Sequence, residues 1–213
     1  MRRSQATFIL AAVSVVLNVL LGAIIYKLHW PIYLDSIGIM LTAILVSGSR
    51  YVAFAIAVMV AVVSYLIIGL YNPFQLWFIF SGISGAAFGA LVVRGRIDAE
   101  LALQSTFTAF IGKVLMFGVG WGIVAAILSE PIVVYLFGGV TANATTTILV
   151  ALHKAGLPLH VAALITGLIA ESIDKTLQLL CAISIAILLP SSFKAMIRKP
   201  LKQSHMKQSH MTH

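Results

Sequence analysis

Long apolar runs, broken by short polar punctuation, set the pattern of this chain. They fall at about 7–28, 37–48, 51–71, 74–93, 102–129 and 159–189. None shows the period-two alternation of a barrel strand, and a backbone crossing lipid must satisfy its own hydrogen bonds, so each run is read as a helix. A crossing helix needs about 20 apolar residues to cover about 30 Å of hydrocarbon. The second run is short. With the apolar stretch Trp30 to Leu34 it is expected to enter the membrane at a slant. Asn72-Pro73 predicts a tight turn between the third and fourth runs, because proline cannot continue a helix. The expected architecture is an all-α membrane protein. Residues 1–193 form a single integral membrane domain of six transmembrane helices, and residues 194–213 form a disordered, basic cytoplasmic tail.

Composition agrees with this picture. Apolar residues make up 61% of the 213-residue chain and charged residues 9%, against about 25% charged in a soluble domain. A net charge of +8 would suit nucleic acid, but the basic residues stand at helix ends rather than along one face, which speaks for topology instead. No nucleic-acid partner is expected. The lone Cys181 excludes an internal disulfide. The basic start Met1-Arg2-Arg3 leads into an apolar run long enough to span, with no clear small-residue cleavage site, so it is read as a retained first helix.

Lys and Arg set the orientation. With the N-terminus inside, Arg2, Arg3, Arg50, Arg94, Arg96, Lys194, Arg198, Lys199, Lys202 and Lys207 are inside. Lys27 and Lys154 are outside, and Lys113 and Lys175 lie within spans, accounting for all 14. The positive-inside rule places both termini in the cytoplasm of a multi-pass protein of the cell (inner or plasma) membrane. The tail repeats KQSHM from Lys202 to Met211. Its histidines suit either a metal or a solvated tail near anionic lipid, and the second reading is preferred because no packed element would hold ligand geometry.

Charges inside the spans are the sharpest departure from plain hydrophobicity. Lys113 lies near the middle of the fifth run, and Glu171, Asp174 and Lys175 near the middle of the sixth. Spacings of i,i+3 and i,i+4 put the last three on one helix face. An unpaired charge at the bilayer centre costs about 2.5–3.5 kcal/mol. Lys113 is therefore expected to contact Glu171 or Asp174 in a neutral cluster with Lys175. That cluster either clamps two helices or touches a ligand. Asp35 stands before the second run, as a helix cap or as a ligand contact.

Trp30, Tyr33, Tyr71, Trp77 and Tyr135 are expected near the outer surface as an aromatic belt, a subset being available to stack on a flat organic ligand. Small residues spaced by four, Ser81, Gly85 and Gly89, allow close helix approach, either within this chain or against another membrane protein. Segment 130–157 is too apolar for disorder and is expected to fold back over the outer mouth, bending at Gly138-Gly139, with a short helix over about 145–155. Asn143-Ala144-Thr145 matches a glycosylation acceptor. No nucleotide-binding loop, HExxH or paired cysteines occur, so no enzyme activity, metal or cofactor is expected.

Four strings carry a family resemblance: YLDSIG (Tyr33 to Gly38), Asn72-Pro73, EPIVVYLFGGVT (Glu130 to Thr141) and ESIDK (Glu171 to Lys175). They resemble the substrate-binding S components of energy-coupling factor (ECF) transporters, in a subgroup of unassigned substrate, over about residues 8–190. The resemblance implies a six-helix S-component fold and a small-molecule micronutrient, a vitamin or precursor, bound from the outer side. It also implies partners: a membrane T component and two cytoplasmic ATPases. By position, Asp35, Asn72, Trp77, Glu130, Tyr135 and Glu171 become the candidate substrate-binding residues. Many S components dock through an A-x-x-x-A stripe on the first helix. Here Ser14, Asn18 and Gly22 stand at that spacing, which leaves a shared T component in doubt and a dedicated one open. Two other readings remain: a membrane-embedded ligand-sensing or regulatory module, and a self-contained secondary transporter.

Overall fold

A computed structural model describes residues 3–46, 50–94, 107–141 and 144–198. Arg2, Arg96, Asn143, Lys199, Lys202, Lys207 and the KQSHM repeat lie outside them. The described chain is helical and contains no strand. Its helices are α1 (Arg3–Leu28), α2 (Ile37–Leu45), α3 (Arg50–Tyr71), α4 (Ile79–Arg94), α5 (Phe107–Pro131), α6 (Thr145–Lys154), α7 (Leu159–Leu188) and α8 (Ser191–Arg198). A 3-10 turn, Pro73–Phe78, leads into α4, and a single π turn, Ile132–Leu136, extends α5. The turn at Asn72-Pro73 forms as the sequence predicts, with proline at the first turn position.

Among the described residues four helices are long and apolar enough to cross a membrane: Arg3–Leu28, Tyr51–Tyr71, Pro73–Val92 and Phe107–Leu136. A fifth arises if α7 and α8, which meet at 106°, count as one broken span. α7 has 30 residues, yet every 18-residue stretch of it contains Glu171, Asp174 and Lys175, and that alone separates it from the other four. These apolar helices make the chain compatible with a multi-pass membrane protein. Phe8, Val13, Val16 and Leu20 of α1 and Ile169, Ile173 and Leu177 of α7 are exposed, as a lipid-facing surface requires.

The second expected span is a different object. α2 has nine residues, all buried, so it measures about 14 Å at 1.5 Å per residue. A helix that is apolar all round belongs inside protein, and α2 packs against α1, α3, α4 and α7. Before it, residues 29–36 run as irregular chain from the end of α1 down to the level of Ser14 and Asn18, midway along α1. Gly38 marks that depth, because a Cβ there would collide with the Ser14 backbone. Irregular backbone at such depth is tolerated only where protein satisfies its polar groups.

α5 and α7 form the most extensive helix pair. They run antiparallel and touch backbone to backbone, since a Cβ at Gly118 would strike Thr176 and one at Gly122 would strike Ser172. The small residues of α4 also serve packing within the chain. Ser81 is buried, Gly85 lies under the Trp121 ring, and Gly89 faces Ala43. At the C-terminal end, Lys194 to Arg198 are helical, Ile197 is fully buried, and α8 rests on α1 and α2. Lys194 to Arg198, the first residues of the expected tail, thus belong to a helix packed on the bundle. The amphipathic face of α8 gives it a surface to bury that tail composition alone does not reveal.

Candidate binding site

The descending segment 29–36 dictates the polar chemistry at the centre of the bundle. Its N–H groups cannot pair in a helix, and an unpaired one in an apolar interior costs several kcal/mol, about as much as an unpaired group in lipid. Side chains of other helices supply the acceptors. Asp174 Oδ1 accepts from the Tyr33 N–H at 2.9 Å and the Leu34 N–H at 3.0 Å. Gln178 Oε1 accepts from the Ser36 N–H at 2.9 Å; just past the segment, in the first turn of α2, Asn18 Oδ1 accepts from the Gly38 N–H at 2.7 Å. Leu34 holds φ at 51°, a left-handed conformation rare for a branched residue, one position before Asp35. Such strain of about 1–3 kcal/mol persists only where the surroundings over-determine it, and it clusters at functional sites.

Asp35 does not cap α2. The start of α2 has no side-chain cap of its own. Instead Asp35 Oδ2 accepts from the Tyr65 hydroxyl at 2.9 Å and Oδ1 from the Ser36 hydroxyl at 3.1 Å. The carboxylate turns into the bundle toward α7. There the Lys175 ammonium lies 2.7 Å from Asp174, 3.2 Å from Glu171 and 3.9 Å from Asp35. It also stands over the rings of Tyr33 and Trp121, about 5.5 Å from each centroid. All four charged groups are more than nine-tenths buried.

The expected pairing of Lys113 with Glu171 or Asp174 is corrected here. Lys175 makes the ion pairs, Asp35 joins as the third acid, and Lys113 makes none among the described residues. The helix register explains it. Gly118 sits at the level of Thr176, and Lys113, five residues earlier, lies about 7.5 Å further along the axis, away from Glu171. The cluster is consequently not neutral by formal charge. Three carboxylates face one ammonium.

Above this cluster opens a cavity of about 330 Å³, within the range of small-molecule sites. Its wall is aromatic: Tyr26, Tyr33, Tyr71, Phe74, Phe78 and Phe137. Asp35, Asn72, Gln75 and Thr141 supply polar groups. At its inner end a pocket of about 10 Å³, room for about one water, reaches Tyr65, Ser81, Glu171 and Lys175. Tyr33, Asp35, Gln75 and Phe78 line both spaces.

The segment after α5 covers one side of the cavity. Phe137 packs edge-on against Phe74 at 5.2 Å and stacks with Phe78 at 6.1 Å. Gly138 and Gly139 hold φ at 58° and 83°, which makes the bend. Thr146 donates to the Thr141 carbonyl at 2.6 Å and accepts from its N–H at 2.9 Å, pinning the returning chain to α6.

Of the residues singled out in the sequence, Asp35 and Asn72 line the large cavity and Glu171 the inner pocket. Trp77, Glu130 and Tyr135 line neither. Trp77 and Tyr135 are exposed, as belt residues are. Glu130 sits half-buried near the end of α5. Ser14 and Asn18 are fully buried, bonded to Thr42 and Ser64 respectively, so this stripe packs inward and offers no docking face. Gly22 lines the cavity. Sequence reasoning passed over Tyr33 as a wall residue and missed Tyr65, Gln75, Phe78 and Phe137. A signal existed for Tyr65, because a tyrosine in mid-span needs a hydroxyl partner. Phe78 and Phe137 carried no signal beyond hydrophobicity.

No protein-family model, no curated protein and no solved structure matches this chain.

Proposed function

We propose that this protein is a membrane-embedded binding subunit that receives a small organic molecule, a vitamin-like micronutrient or precursor, from the extracytoplasmic side. One observation carries the reading: an aromatic-walled cavity of about 330 Å³ whose inner end reaches buried, ionisable side chains. Size, apolar lining and a few convergent polar groups are what a small-molecule site needs. In this reading the chain is an S component of an ECF-type importer, serving a membrane T component and two cytoplasmic ATPases. Residues 29–36 and α2 together make the second of six crossings. They supply up to about 26 Å of extended chain and about 14 Å of helix, enough for about 30 Å of hydrocarbon. The Lys and Arg distribution supports cytoplasmic termini and puts the cavity mouth outside.

The test is to purify the full chain and identify co-purifying small molecules by mass spectrometry, then measure binding and uptake in proteoliposomes. Binding without accumulation by the isolated chain is the expected result. Reporter fusions after Arg94 should read cytoplasmic and those at Thr141 external. A second reading, a cation-coupled secondary transporter, is favoured by the surplus of buried acid at the cavity floor. Uphill uptake by the isolated chain under a proton or sodium gradient would establish it and remove the S-component reading.

A further inference from the structure

The acids at the inner end of the cavity are not equivalent. Asp174 is saturated: it accepts two backbone N–H bonds, the Gln178 amide at 2.6 Å and the Lys175 ammonium at 2.7 Å. Its role is accounted for by the descending segment. Glu171 is the opposite case. It is 5% exposed, and the Lys175 ammonium, an ion pair at 3.2 Å, is the one polar partner of its Oε2 among the described residues. Its side chain lines the inner pocket beside Asp35. Asp35 has two hydroxyl donors and only a distant Lys175 to balance its charge.

Lys175 cannot serve as an anion receptor. It sits where three carboxylates converge, with two aromatic faces about it. A buried carboxylate without a compensating charge is costly. Among the described residues no group of three or more His, Cys, Asp and Glu is arranged to hold a metal ion. An organic cation answers the surplus. It would bring one positive charge to Glu171 and Asp35, and its body would lie among six aromatic rings, whose faces attract cations.

Resting on the binding-subunit reading above, we infer that the cavity selects a cationic small molecule, an aromatic or heterocyclic amine. Its ammonium group enters the inner pocket and pairs with Glu171 Oε2 and the Asp35 carboxylate. Phe78 and Tyr33, which line both spaces, hold the ring that carries it.

Three probes sharing an indole ring and differing in charge test this on the purified full chain in detergent: tryptamine, indole-3-acetamide and indole-3-acetate. Calorimetry should find tryptamine tighter than the other two by about tenfold or more, the contribution of one charge-assisted hydrogen bond. Glu171→Gln should remove most of that preference while the protein still melts cooperatively. Asp35→Asn is the second variant, should the first not fold. Equal or tighter binding of the acetamide or the acetate to the native chain overturns the inference and leaves the binding site standing. Preference for tryptamine that survives in both folded variants also overturns it. If none of the three binds at millimolar concentration, the inference fails, because a cavity selecting aromatic amines would take tryptamine; the binding-subunit reading then rests on the co-purified molecule alone. Should neither variant fold, the ranking of the three probes on the native chain decides.

Discussion

Two polar clusters hold neighbouring stretches of buried chain, the α1 cluster the start of α2 and the α7 cluster the irregular segment before it, and they do it with different chemistry. On α1, Asn18 accepts the Gly38 N–H and donates to Ser64, while Ser14 accepts from Thr42. All are buried, neutral and mutually satisfied. On α7, Asp174 and Gln178 accept the N–H groups of Tyr33, Leu34 and Ser36, but three carboxylates and one ammonium are buried there. The neutral cluster demonstrates that backbone at this depth can be held without charge. On α7 it is Asp174 and Gln178 that accept the backbone N–H groups, so holding the backbone gives no reason for Glu171. The charged cluster faces the cavity and the neutral one faces packed helices, which puts the excess acid beside the cavity.

The comparison breaks most severely at Lys175. Lys175→Met strands Asp174 and Glu171 in a dry interior, and losing one partner of a buried pair costs about 3–5 kcal/mol. Little folded protein should survive purification. A variant with a native-like melting temperature would show that water reaches the cluster freely.

Asn18→Ala probes the neutral side. It leaves the Gly38 N–H and the Ser64 hydroxyl without their partner, a loss of about 1–3 kcal/mol, read as a lower melting temperature. Ligand binding should persist, since Asn18 does not line the cavity. A variant that loses binding while melting normally would tie the neutral cluster to the site and erase the contrast.

Glu171→Gln sharpens the contrast most directly. It removes an acid whose Oε2 has Lys175 as its one polar partner among the described residues and keeps the shape of the side chain. Stability should change by no more than about 1 kcal/mol, because the lost ion pair with Lys175 is offset by relief of like-charge repulsion and desolvation. A collapse comparable to that of Lys175→Met would make Glu171 part of the structural clamp.

Lys113→Met should have the smallest effect, within about 0.5 kcal/mol, the range of a substitution away from any network. Strong destabilisation would mean that Lys113 does reach the acids of α7, and the register set by Gly118 and Gly122 would then be in error.

Much of this architecture is legible along the chain. The apolar runs locate the long helices, Asn72-Pro73 gives the turn, and Gly138-Gly139 gives the bend before a short helix at Thr145–Lys154. The spacing of Glu171, Asp174 and Lys175 puts them on one face, and their cost in lipid turns that face inward. These are local properties, fixed by helical periodicity and by the solvent a residue can tolerate. Which residues complete the cluster is not local. Asp35 reads as a helix cap or a ligand contact from its position, and only the descent of residues 29–36 to the middle of the bundle carries it to Lys175. Lys113 reads as the natural partner by depth. The antiparallel register of α5 on α7, set where two glycines let backbones touch, moves it out of reach. The cavity wall is likewise assembled from α1, the descending segment, α3, the 3-10 turn and the loop after α5. Periodicity and solvent preference determine which face of each element turns inward. Only packing decides which inward faces meet, because one turn of register along a helix moves a side chain about 5.4 Å, more than the length of an ion pair.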